Sequence, residues 1–205
     1  MIFGLRMQRV SWRGLLALAM LATAAPPLLA FDLGELMAQL SQRQNSEARF
    51  SEQRFVSGLQ QTLSYSGTLS FKAPDRLARH TLSPRAESFV VEGNRVTLER
   101  GGRVRQLTLD AAPELAAMVA AMRGTLSGDA ATLRQHFQAS VSGSAAQWTL
   151  TLVPLDSRLA TMVRRLRLVG EQAELRTLEV QLTDGDRSVM SIEPLTDGPS
   201  RSQKP

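Results

Sequence analysis

The chain has 205 residues, 43% hydrophobic and 21% charged, which fits one globular domain and excludes a disordered polymer. It has no cysteine and only two histidines, His80 and His136, so thiol nucleophiles, disulfides, thiolate zinc sites and multi-histidine metal sites are excluded by counting. The formal charge of +5 suggests an anionic partner until the arginines are placed along the chain.

Arg6, Arg9 and Arg13 stand without an acid before an unbroken small and apolar run from Gly14 to Ala25. That is the layout of a secretory signal, too short to span a bilayer, since a spanning helix needs about 20 residues. Pro26-Pro27 breaks the run, and Leu28-Leu29-Ala30 offers cleavage after Ala30, with Ala25 as the competing site. The expected division is a signal peptide over 1–30, one domain over 31–194 and a disordered tail over 195–205. With no cysteine after the apolar run, the expected product is periplasmic and not lipid-anchored. Removing three arginines lowers the net charge from +5 to +2, and nucleic acid binding loses its electrostatic support.

The spacing of Leu33, Leu36, Met37 and Leu40 predicts an amphipathic helix over 33–44. From Leu59 to Lys72 every even position is polar and nearly every odd one is not, the pattern of a long strand wet on one face. Residues 48–56, with Phe50 and Phe55, can pair with it as a hairpin across Ser57-Gly58. Short strands follow at 76–82, 87–92, 95–100 and 103–109, separated by Pro84, Gly93-Asn94 and Gly101-Gly102.

Two helices interrupt this meander. Over 113–122, Leu115, Met118, Val119 and Met122 share a face, with Pro113 suited to the first turn and Gly124 to the stop. Over 129–137, Asp129 or Ser127 caps a helix presenting Leu133 and Phe137. Strands resume at 138–143 and 147–153, a helical turn fits 156–163, and the last strands fall at 165–169, 174–182 and 187–193.

The expected fold is mainly β (α+β), an incomplete antiparallel β-barrel of about ten or eleven strands with a lid of two or three short helices. Ten or eleven strands at about 4.8 Å spacing make a sheet some 50 Å wide. Two or three helices about 10 Å across cover only around 30 Å of it. The sheet makes up the difference by curling, and its inside holds either packed side chains or a ligand. Aromatic fillers are few, so an aliphatic concavity suited to an acyl chain follows, and the unbranched side chains of Met118 and Met122 suit a lid that adapts to its guest.

The order of these elements resembles the LolA family of periplasmic lipoprotein carriers over nearly all of residues 33–193. The motifs that carry the resemblance are Phe50 to Phe55 with Gln53, Leu69-Ser70-Phe71-Lys72-Ala73-Pro74, Phe89-Val90-Val91-Glu92-Gly93-Asn94, Leu126-Ser127-Gly128, Trp148 to Pro154, and Asp184-Gly185-Asp186. The resemblance implies an incomplete barrel with a helical lid over an apolar cavity. It also implies a monomeric carrier, without catalytic residues, cofactor or metal, that takes lipoprotein acyl chains or another lipid from an inner-membrane donor complex to an outer-membrane acceptor. This chain departs from the family where an arginine commonly precedes the proline ending the long strand and helps hold the lid shut. Here Ala73 stands there, with Arg76 and Arg79 as the nearest substitutes for a lid contact, and Leu77 and Ala78 replace the usual aromatics.

The expected cavity residues are Leu69, Phe71, Leu115, Met118, Met122, Trp148, Leu150 and Leu152. Two other functions fit the same sequence: a sensor or interaction module that binds a membrane protein, and a carrier of a glycolipid or polyene lipid. Hydrolysis is disfavoured, because there is no Gly-x-Ser-x-Gly elbow and neither histidine has a partner at local spacing. Arg164, Arg165 and Arg167 read as one solvated strand face, or as a contact for anionic headgroups or an acidic segment.

Overall fold

The computed structural model describes residues 31–195; the expected signal segment 1–30 and residues 196–205 of the expected tail lie outside them. Helix α1 (Leu33–Leu40) begins with a reciprocal cap: the Glu35 N–H donates to Asp32 Oδ1 at 2.9 Å, and the Asp32 N–H donates to Glu35 Oε2 at 3.1 Å. It buries Leu36, Met37 and Leu40 and stops four residues short of the expected end. Residues 41–44 (Ser-Gln-Arg-Gln) offer nothing apolar to bury, so no packing extends the helix.

Strands β1 (Asn45–Phe55) and β2 (Leu63–Lys72) form the expected hairpin, with Ala48 opposite Leu69 and Arg54 opposite Leu63. The expected strand from 59 begins only at Leu63. Beyond Arg54 there is no β1 partner left on the β2 side, and Leu59 lies in the loop. Strands β3 (Arg76–Ser83), β4 (Glu87–Glu92), β5 (Arg95–Arg100) and β6 (Arg103–Thr108) continue the meander. The β5–β6 turn has positive φ at both Gly101 and Gly102, a geometry that an L side chain resists.

Helix α2 (Pro113–Ser127) is longer than expected. Gly124 does not stop it. A Cβ there would meet the Leu133 side chain at 3.0 Å, so the glycine allows α3 (Ala130–His136) to pack close, and the helix ends at left-handed Gly128 instead. Asp129 caps α3 by accepting from the Thr132 N–H. Strands β7 (Phe137–Gly143) and β8 (Gln147–Pro154), helix α4 (Ser157–Met162), and strands β9 (Val163–Glu171), β10 (Glu174–Leu182) and β11 (Arg187–Pro194) complete the chain.

All eleven strands form one antiparallel sheet in the order β6-β5-β4-β3-β2-β1-β11-β10-β9-β8-β7, which stays open as an incomplete barrel. Two meanders are joined in the middle by β1 and β11, with Phe50 opposite Ile192. The sheet edges, β6 and β7, are therefore neighbours in sequence, and the chain between them is α2 and α3. The lid is the connection that spans the gap.

The largest core cluster lies between the helices and β7 to β9. It contains Leu36 and Met37 of α1, Ala117 and Ala121 of α2, Leu133 of α3, Leu159 of α4, and Phe137, Trp148, Leu150, Leu152, Leu166 and Leu168 of the sheet. Trp148 lies so flat over Gly170 that a Cβ there would come within 2.1 Å of its ring, and its Nε1–H donates to the Gln172 carbonyl at 2.8 Å. A smaller cluster of Val91, Val96, Leu109 and Val119 ties α2 to β4 and β5.

Candidate functional site

Inward side chains alternate along every strand, so the register decides what faces the concave side. On β1 these are Ala48, Phe50 and Glu52. Their partners are Leu69, Gly67 and Tyr65 on β2, and Pro194, Ile192 and Met190 on β11. Across the β2 to β6 half this surface is not filled. It lines a half-open cavity of about 1540 Å³, whose wall runs over β1 to β6, β10 and β11 and over Leu115, Met118, Met122 and Leu126 of α2. That exceeds the roughly 300 to 1,000 Å³ of ordinary small-molecule pockets.

The expected cavity residues divide cleanly between two places. Leu69, Phe71, Leu115, Met118 and Met122 line the cavity. Trp148, Leu150 and Leu152 do not; they are fully buried in the cluster beneath α1 and α3, on the part of the sheet that the helices cover. Their alternation marks an inward face without telling which half of the sheet the lid fills. Conversely, Leu178, Val180, Met190 and Ile192, which alternate onto the apolar face of the last strands, line the cavity although they were not among the expected cavity residues. They do so because β11 pairs with β1, a contact between residues far apart in the chain.

The wall also carries charged side chains, most of them towards its mouth, and one of them is buried. Glu52 is 3% exposed. Its carboxylate accepts from Arg79 Nη2 at 2.6 Å and Ser188 Oγ at 2.8 Å, with Arg54 Nη2 at 3.4 Å. Burial pushes this carboxyl up, but the Ser188 hydrogen bond, the charge and hydrogen bond of Arg79 and the charge of Arg54 outweigh it, and the group titrates below its ordinary value. The Arg79 guanidinium also lies 4.6 Å over the Phe50 ring. Sequence reading missed this cluster. The one signal was Glu52 in register with inward-facing Ala48 and Phe50.

Arg79 therefore makes its ion pair within the sheet, with β1, and Arg76 makes none among the described residues. Arg123 of α2 instead lies in the field of Asp75, in the β2–β3 turn. Burial lowers its pKa and Asp75 partly restores it, while its Nε and Nη2 have no hydrogen-bond partner. The charge between lid and turn thus comes from the helix, opposite to the arrangement expected from the strand.

His80 is exposed on β3 and His136 ends α3; neither lines the cavity nor makes a side-chain hydrogen bond among the described residues. Among these residues no cluster of three or more histidines and carboxylates is placed to hold a metal, and no helix is long and apolar enough to cross a membrane.

The sequence matches, over residues 24–193, the family described as "Outer membrane lipoprotein carrier protein LolA-like". No curated protein matches it. Among solved structures, the chain is similar to a LolA superfamily protein from Nitrosomonas europaea, with 11% identity and a TM-score of 0.42 over 82% of this chain and 93% of that one. It is also similar to a chain of the Pseudomonas aeruginosa MucA/MucB complex, with 15% identity and a TM-score of 0.40; there it covers 83% of itself and spans 59% of that chain. LprF from Mycobacterium bovis matches at 11% identity and a TM-score of 0.35, over 80% of this chain and 94% of that one.

Proposed function

From the premise that this chain belongs to the LolA-like family of outer membrane lipoprotein carrier proteins, we propose that it is an exported, periplasmic carrier that moves an acyl chain or lipidated cargo between membranes, towards the outer membrane. The observation that carries this reading is the cavity of about 1540 Å³ between β1, β2, β10, β11 and the Leu115, Met118 and Met122 face of α2. Counting roughly 30 Å³ per methylene, the liquid volume of one water, a 16-carbon chain needs about 500 Å³, so the cavity has room for more than the single chain that the expected lid would admit. Burying such a chain is worth on the order of 12 kcal/mol before the costs of association. The cargo is held by its methylenes and by no covalent chemistry. An inner-membrane donor and an outer-membrane acceptor then drive loading and release.

Native mass spectrometry and organic extraction of the protein recovered from the periplasm test this reading. A retained lipid is the expected result. A clean unliganded mass, together with stable binding of a membrane protein's periplasmic segment, overturns it in favour of an interaction module.

A further inference from the structure

Seven of the eight large hydrophobic residues that are exposed among the described residues lie near one rim of the sheet. Leu59 and Leu63 belong to the β1–β2 hairpin, Leu82 is near the end of β3, Val104 near the start of β6, Val153 near the end of β8, Leu155 just after it, and Met162 ends α4. Leu195 alone is at the other rim. Antiparallel order brings these segments to the same strand ends although they are scattered over a hundred residues of sequence. The same rim carries Arg54, Arg85, Arg103, Arg105, Arg158 and Arg187. Arg85, Arg103, Arg105 and Arg158 have no ion-pair partner among the described residues. Arg164 and Arg165, beside Met162, add to the excess. At the strand ends and turns of the opposite rim carboxylates outnumber cations, with Glu47, Asp75, Glu92, Glu171, Glu174 and Glu193 among them.

The cavity reaches this basic rim. Its lining runs from Met118 and Met122 of α2 to Pro84, Arg85, Gly101, Arg103 and Asp186 in and beside the rim turns. We propose that the rim docks on an anionic lipid bilayer, with Leu59, Leu82 and Val104 entering the headgroup region, the arginines meeting lipid phosphates, and the cavity opening towards the acyl chains. The purpose of the docking rests on the carrier reading; its geometry does not. Single apolar side chains at separate strand ends and loops, interspersed with arginines along the same rim, suit an interface of headgroups and water, where an arginine stem lies along apolar surface and its head reaches phosphate. A protein partner would need a contiguous apolar centre that excludes water, and these residues do not supply one.

The test is co-flotation of the protein recovered from the periplasm with phosphatidylcholine vesicles, with and without phosphatidylglycerol, alongside capture of a fluorescent fatty acid in solution. Binding only to the phosphatidylglycerol vesicles, weakened by added salt, is expected. Each arginine at such a surface is worth roughly fivefold in partition, so Arg85→Ser/Arg103→Ser lowers flotation by more than tenfold. Leu59→Ser/Leu82→Ser, whose side chains are exposed and outside the cavity lining, lowers flotation at least about tenfold while leaving fatty-acid capture and the unfolding midpoint unchanged. Failure of the protein to float, or equal flotation of the leucine variant, overturns the docking. If capture persists in that case, the carrier reading stands; if flotation persists without capture, the docking stands and the carrier reading falls.

Discussion

The two halves of this sheet are built from similar strands and treat their inward faces differently. Under α1, α3 and α4, β7 to β9 are packed solid around Trp148, Leu150 and Leu166. Across β2 to β6 only α2 covers the surface, and the residues left uncovered, Leu69 and Phe89 among them, face a void. The packed half is placed to hold the fold together, so the open half need not be filled for the sheet to stand.

If that division is right, substitutions on the two sides should separate stability from binding. The largest effect is expected from Trp148→Ala, which removes a ring packed on Gly170 and a hydrogen bond to Gln172 and should lower unfolding free energy by about 3 to 5 kcal/mol in a denaturant titration. A loss below about 1 kcal/mol would show that the covered half is not the structural anchor.

Glu52→Ala comes next. It strands Arg79 and Ser188 in the cavity wall and should cost about 2 kcal/mol, less than a fully buried pair because Arg79 is 27% exposed. Because the folded carboxyl titrates below its ordinary value of 4.5, its contribution is complete at neutral pH and is lost as pH falls through the carboxylate range. Glu52→Gln should therefore flatten the acid limb of a stability-against-pH curve, and an unchanged limb would assign acid sensitivity elsewhere.

The smallest stability effect belongs to Leu69→Ala and Met118→Ala, which enlarge a space already empty and should cost no more than about 1 kcal/mol. Their effect should appear instead as a roughly tenfold weaker capture of a fatty-acid probe. A large loss of stability would mean that these side chains are ordinary core.

Local signals made most of the elements readable. The alternation of β2, the Gly93-Asn94 and Gly101-Gly102 turns and the caps at Asp129 and Pro113 act within a few residues, and each element formed close to where they put it. The helix stop was misplaced because Gly124 serves packing against Leu133, a tertiary reason that no local rule contains. The site was half legible for the same cause. Alternation shows that Leu69 and Leu150 both face inward, but only the pairing of β1 with β11 and the path of α2 decide which meets a void and which meets a helix. The Glu52 cluster joins β1, β3 and β11 and has no expression in any one segment.

The central pairing of Phe50 with Ile192 also constrains how the molecule comes into being. Its first strand must wait for its last, because β1 has only β2 beside it until Arg187–Pro194 has been synthesised. Such long-range closure slows folding, because the loop entropy is lost before the contact forms. The concave chamber is complete only when the final strand arrives, because Met190 and Ile192 of that strand form part of its wall.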